Sequence, residues 1–548
     1  MSEVCVQSID HLGLVAGMIE ELGIREVLEE MLPTRSKDKK VSHATAVAAM
    51  ILNGLGYVNK QLYLTPRFFE KKATEQLLGE GITPEKLNRD TLGRTLDALY
   101  EYGVSECYER VAREAMSRLG LIPSVVHLDG TSFHVDGVYN SEEGPSEGVI
   151  HITRGYSREG FPDLNQVVLN LIVEHQGGIP LMMKAASGNQ IDSQAFATLV
   201  RAHIDALKES INQPLTLIAD AALFTGKGLQ AIKDKGIKFI SRVPMRLKEA
   251  KLFEAQGLAE GLMPLDENYR YYARTMTYEG MTQVWVLYES AHAKKRALKV
   301  AKKKILRESL IETKAAKEFQ GRTFYCEADA QKALEGFRKG HPTLELNNIE
   351  LKTSPYYDRK GRPSKESIPL GYRYQWSFWP SMSIRGHQEV VENEGRFILA
   401  TNDLSLEPKA LLDNYKSQQR VERGFRFLKS PEFLSDSLFF KKPERIEAML
   451  MVMTLCLMVY AALEYKIRKE LKEQGKTFPN QLRKPVTNPT ARWIFQCFHE
   501  IQVVYVKSLN QCLITNLLDR NRVILDLLGI SYWKYYQPNL KMFKRGAQ

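Results

Sequence analysis

Asp129 follows the apolar run Val125, Val126 and Leu128, and Asp220 follows Leu217, Ile218 and Ala219. Both carboxylates are therefore expected at the C-terminal ends of central strands. There they are partly shielded, yet a hard cation such as Mg²⁺ can use them without giving up all of its waters. A third acid lies in YKSQQRVERGFRFLK. Drawn as a helix, Val421, Gly424, Phe425 and Leu428 fall at i, i+3, i+4 and i+7 and form a packing face. Tyr415, Glu422 and Lys429 recur every seven residues as a stripe beside that face. A glutamate at the margin of a packed face is well placed to join strand-end carboxylates around a metal. The bland alternatives are a turn or helix cap for each aspartate, and a solvated stripe with weak ion pairs among Glu422, Arg426 and Lys429.

The elements that must position these acids are legible as a pattern. After Pro123 the sequence turns to period two and β-branched residues. SVVHLDGTSFHVDG reads as a strand, a turn at Asp129-Gly130 and a second strand, and LNQVVLNLIVEHQGGIPLM reads as a third, longer strand. A helix from Asp192 to Lys208, the buried strand Leu215–Ala219, a helix starting near Gly226 and the strand IKFISRV follow. The order β-β-β-α-β-α-β describes an α/β, RNase H-like core, a mixed sheet with helices on its faces. His127 and His134 flank the first acid and are read as core or supporting residues.

Five segments are expected. Residues 1–115 form a helical N-terminal domain for end binding or dimerisation, with Ser42 capping a helix that stops at Gly56 and another helix over Asp90–Tyr102. Residues 120–243 are the first part of the core. Residues 244–394 are a largely β insertion with one basic helical arm, 395–470 the second part of the core, and 471–548 a helical C-terminal segment. The arm has eight Lys or Arg in the fourteen positions 294–307, among them Lys302, Lys303 and Lys304.

Composition narrows the class. The chain has 548 residues, 44% hydrophobic and 26% charged, which excludes disorder and low-complexity scaffolds. Its six cysteines form no CxxC pair, so a zinc site or disulfide framework is not expected. The N-terminus has no signal-peptide pattern, and the apolar run 448–463 is shorter than the ~20 residues of a bilayer span. A buried helix, no membrane association and a cytoplasmic location are expected. The net charge of +11 is uneven: the first 240 residues carry −7 and the remainder +18. Such a distribution suits a polyanion bound mainly by the C-terminal half.

The chain resembles the DDE transposases of bacterial insertion sequences, in the group with a Tyr, Arg, Glu, Lys signature of pattern Y-x2-R-x3-E-x6-K. Here the pattern reads Tyr415, Gln418, Glu422, Lys429, with Gln418 in the Arg place and Arg420 and Arg423 nearby as substitutes. The resemblance also covers HLDGTSF, GYSREGFPDLNQVVLNLIVEHQGGIPLMMKAASGNQID, IADAALFT, FISRVP and the tail after SPEF, roughly residues 110–530. It implies that Asp129, Asp220 and Glu422 are catalytic and hold two Mg²⁺ or Mn²⁺ ions. It implies DNA contacts by Tyr415, Gln418, Arg420, Arg423 and Lys429, to which the basic arm Lys302, Lys303 and Lys304 is added. The implied partners are double-stranded DNA, as terminal inverted repeats and as target, and a second copy in a paired-end homodimer. A nuclease of the same fold without strand transfer, or a non-catalytic DNA-binding regulator, are the rival expectations.

Overall fold

The computed structural model describes residues 4–33, 41–57, 62–137, 139, 148–156, 161–209, 214–342, 344–358, 368–382, 395–430, 440–506, 508–509 and 511–537. The chain divides into two compact units. One comprises residues 1–243, 275–284 and 400–548, the other 244–274 and 285–399.

The first unit begins with a strand, β1 (Val4–Ser8), where only helices were expected. It pairs antiparallel with Gln502–Val506, which in turn pairs with Gln511–Thr515. The C-terminal segment is thus not purely helical, and the two chain ends share one small sheet. β1 is not recognisable alone, because it takes its strand partner from the opposite end of the chain. The same union is repeated in side chains. The Tyr536 hydroxyl donates to the Asp10 carbonyl at 2.7 Å, Lys466 pairs with Glu21 at 2.5 Å, and His11 stacks on Phe495 with centroids 4.4 Å apart.

Between the ends lie the N-terminal helices, Leu12–Glu21, Ile24–Met31, His43–Gly54, Arg89–Tyr102 and Val104–Leu119 among them. Ser42 caps the third, its Oγ accepting the Thr45 amide at 3.1 Å. Against them packs Pro443–Glu473, 31 residues that include the apolar run. That helix is long and apolar enough to cross a membrane, but 94% of its apolar window is buried inside the protein.

The central sheet of this unit contains β2 (Val125–His134), β3 (Gln166–Glu174), β4 (Pro180–Ser187), β5 (Thr216–Ala219) and β6 (Lys238–Val243) in the spatial order β4-β3-β2-β5-β6. The first three are antiparallel; β5 and β6 run parallel to β2. Two sequence expectations are corrected here. There is no turn at Asp129-Gly130. Gly130 does not take the positive φ that a tight hairpin demands, and the ladder continues through Asp129↔Leu171 and Gly130↔Asn170. Conversely, the single long strand is two, β3 and β4. The reversal lies at His175–Gly178, where Glu174 accepts the amides of Gln176 and Gly177 at 2.5 and 2.6 Å and Gly178 has φ +69°. Period-two patterning could not mark that break, since almost every residue of both strands is buried.

The second unit holds helices Lys248–Glu260, Ala291–Gln320 and Glu327–Gly340, so it is more helical than the one arm expected. The charge-rich sequence hides the third helix, which buries only Ala330 and Leu334. A two-stranded ribbon, Leu344–Tyr356 against Gly371–Met382, packs on these helices through Ala316, Phe319, Leu334 and Phe378. Trp376 is anchored there, its Nε1 donating to the Ala330 carbonyl at 2.8 Å, whereas Trp379 is 73% exposed. Lys302, Lys303 and Lys304 are exposed on the longest helix of this unit.

Candidate active site

Parallel pairing of β2 with β5 is what brings the two aspartates together. The last register pair between them is Leu128↔Ala219, so Asp129 and Asp220 are the next residues on adjacent strands. The next strand adds Ala219↔Ser241, which puts Arg242 one step beyond Ser241 just as Asp220 is one step beyond Ala219. Ser241 fixes that edge by donating its hydroxyl to the Asp220 carbonyl at 2.8 Å. Asp129 is buried, and its carboxylate accepts the Gly130 amide at 2.8 Å; Asp220 accepts the Ala222 amide at 2.9 Å.

The third acid arrives on a broken helix. Pro408–Lys416 and Gln419–Leu428 are separate helices divided at Ser417-Gln418, not the continuous one drawn from the sequence. Val421, Phe425 and Leu428 are buried as the spacing predicts, and Glu422 and Arg423 are exposed. The second helix packs on β2 and on Pro443–Glu473. Gly424 permits the latter, since a Cβ there would lie 3.1 Å from Leu457 Cδ2. Lys429 sits with Nζ 5.7 Å from the centre of the Phe133 ring, on the face of β2 that also carries His127 and Asp129. Alternation turns His134 to the other face.

Tyr415 records the electrostatics of the assembly. Its phenol is pushed up to about 12, first by burial, then by the charges of Asp220, Glu422 and Asp129, with Arg242 acting in the opposite direction. One hydroxyl is thus within electrostatic reach of all three acids and of an arginine. Gln418 is buried and brings no charge; the Arg423 Nε donates to the Gln419 carbonyl at 3.4 Å; the Arg420 side chain lies outside the described residues. Arg242 was not singled out from the sequence, although FISRVP contains it. Its signal would have been its place one residue after the buried run Phe239–Ser241, as Asp129 and Asp220 follow Leu128 and Ala219.

By donor type, three carboxylates suit a hard divalent cation. They are not drawn up around one here: among the described residues, no three His, Cys, Asp or Glu side chains form a group that could hold a metal ion. Each aspartate takes a backbone amide close in sequence.

Residues 121–459 match the family described as the transposase DDE domain. The chain belongs to this family. Residues 4–113 match a second family, a domain of unknown function (DUF4277), which in this transposase comprises β1 and the N-terminal helices. No curated protein matches the chain. Among solved structures, the transposase is similar to a piggyBac transposase in a synaptic complex with hairpin DNA, determined by cryo-EM. The identity is 8%, with 91% of this chain and 82% of that chain covered, at a TM-score of 0.37.

Proposed function

We propose that the transposase binds the terminal inverted repeats of its own insertion sequence, cleaves the DNA at those ends and joins the freed 3′-hydroxyls to target DNA, in a cut-and-paste reaction. The observation that carries this reading is that Asp129 and Asp220 follow the last register pair of two adjacent parallel strands, with Glu422 within electrostatic reach of the same Tyr415 hydroxyl as both of them. The strand order β4-β3-β2-β5-β6, antiparallel on one side of β2 and parallel on the other, supports an RNase H-like description of the core.

In this reading Asp129, Asp220 and Glu422 would hold two Mg²⁺ or Mn²⁺ ions, which would supply activation of a water or 3′-hydroxyl and stabilisation of the leaving oxygen. Tyr415 keeps its proton at every ordinary pH and donates it as a hydrogen bond to a backbone phosphate. Lys429 contributes a point charge on the same face. Arg423 is exposed and offers a positive charge to phosphate, and Lys302, Lys303 and Lys304, exposed on their own helix, add phosphate contacts along the duplex. A paired-end homodimer brings two such sites to two ends.

The test is an assay on duplexes carrying the element's ends, with Mg²⁺, followed on gels for nicks and joined products. Cleavage and joining are expected. Cleavage without joining would make the protein a nuclease, and end binding without cleavage would make it a regulator.

A further inference from the structure

The break that divides the Tyr415 helix from the Glu422 helix is tied down by three polar side chains. The Ser417 Oγ donates to the Asn414 carbonyl at 2.5 Å, closing the last turn of the first helix. A hydroxyl has one proton, so with that proton on Asn414 the oxygen is left to accept from whichever of its two neighbouring ring nitrogens carries a hydrogen. Those are His127 Nε2 at 3.2 Å and His175 Nδ1 at 3.0 Å. The two ring nitrogens are themselves 3.0 Å apart, with the rings stacked at 13° and centroids 5.3 Å apart. Only one hydrogen fits between them, so the rings take complementary tautomers.

The cluster joins segments that are remote in sequence. His127 is fully buried on β2, two residues before Asp129 and therefore on the same face. His175 directly follows β3, and its amide donates to the Val125 carbonyl at 3.1 Å. Ser417 lies two residues after Tyr415 and five before Glu422. A slip of one residue at the break would rotate the second helix by roughly 100° and carry Glu422 off the site.

We propose that Ser417, His127 and His175 form a positioning cluster that locks the helix break to β2, and so sets Tyr415 and Glu422 in register with Asp129. What is positioned rests on the proposed function; the lock itself does not. A cluster that merely filled a buried polar gap would affect stability alone.

The experiment uses the full chain as wild type, Ser417→Ala and Ser417→Thr. Three quantities are read: amide exchange over residues 412–425 by mass spectrometry, Mn²⁺ binding to the DNA-free protein by electron paramagnetic resonance, and cleavage rate against Mn²⁺ concentration. Ser417→Ala is expected to retain its thermal midpoint and its affinity for end DNA. Its amides at 415–422 should exchange faster and its half-saturating Mn²⁺ should rise tenfold or more, with Ser417→Thr restoring both. If Ser417→Ala does not fold, His175→Asn, which can present an N–H near the Nδ1 position, is compared with His175→Leu, and the same difference is expected. Wild-type exchange and Mn²⁺ binding in the disrupted variant would overturn the proposal. So would a fall in thermal midpoint and DNA affinity with Mn²⁺ binding unmoved. A wild type that binds no Mn²⁺ and cuts nothing would remove the proposed function, and the exchange measurement would then decide the lock by itself.

Discussion

At the scale of single residues, the site is a balance between three carboxylates and the few positive groups around them. Replacing Asp129 or Asp220 by Asn, or Glu422 by Gln, removes a charged ligand while keeping shape, so cleavage should fall to background while gel shifts with end DNA persist. Loss of binding with residual cleavage would contradict the assignment. Tyr415→Phe deletes the hydroxyl proposed to donate to a charged phosphate. Hydrogen bonds to charged groups are worth about 1.5–3 kcal/mol, so cleavage should slow by about 10- to 100-fold in single-turnover kinetics. In the metal-free protein the phenol is held up near 12, so ultraviolet titration without metal should show no ionisation of Tyr415 below pH 10. The apolar runs before the acids did mark two adjacent strands, although the strand of Asp129 runs on to His134 instead of ending at the acid. No such mark singled out Arg242, whose importance comes from a register with β5 that no local pattern encodes.

At the scale of elements, the Glu422 helix depends on what lies behind it. Gly424 meets Leu457 of the long apolar helix, and Phe427 packs on Tyr460 of the same helix with centroids 4.2 Å apart. Met453→Lys or Leu455→Lys would place an unpaired charge where 2% or less of the residue is exposed. A loss of several kcal/mol in denaturant unfolding is expected, enough to leave little soluble protein. In the second unit, Lys302, Lys303 and Lys304 are exposed on a helix with no structural need for so many cations; Lys304 makes only a 3.8 Å contact with Glu308. Neutralising all three should weaken specific and random duplexes by similar factors. The slope of log K against log salt should flatten by about 2–3. Unchanged affinity and slope would make this helix a solvated surface and move the main phosphate contacts to the residues after 400.

At the scale of the molecule, the two ends of the chain close one another. His11, in the N-terminal helical region, donates its Nε2 proton to the Leu55 carbonyl at 2.7 Å and stacks on Phe495. Burial lowers its pKa from 6.5 to about 4, with the Leu55 hydrogen bond and Asp10 pulling the other way. The unfolded chain therefore takes up a proton between pH 6.5 and 4 that the folded chain refuses. The stability from this group is complete above pH 6.5 and is lost as pH falls toward 4, by about 3 kcal/mol. Urea midpoints at pH 7 and pH 4.5 should differ accordingly, and His11→Gln should flatten the difference. A pH response unchanged in His11→Gln would place the acid sensitivity elsewhere.

The sequence by itself determined the family and most of the elements. The strands that carry or precede the two aspartates, the buried face Val421, Phe425 and Leu428, the Ser42 cap and the buried run 448–463 all follow from local patterns acting over a few residues. The β-β-β-α-β-α-β order was legible too, even though the breaks between its first three strands were misplaced, because a continuously buried strand and a hairpin of two such strands have the same apolar texture. What only the tertiary structure decided are the contacts between distant segments. These are the register that lines up Asp129, Asp220 and Arg242, the Ser417 break held by His127 and His175, and the strand β1 completed by Gln502–Val506. Each needs a hydrogen-bond partner from about 20 to about 500 residues away, and such pairing leaves no mark on the sequence around either partner.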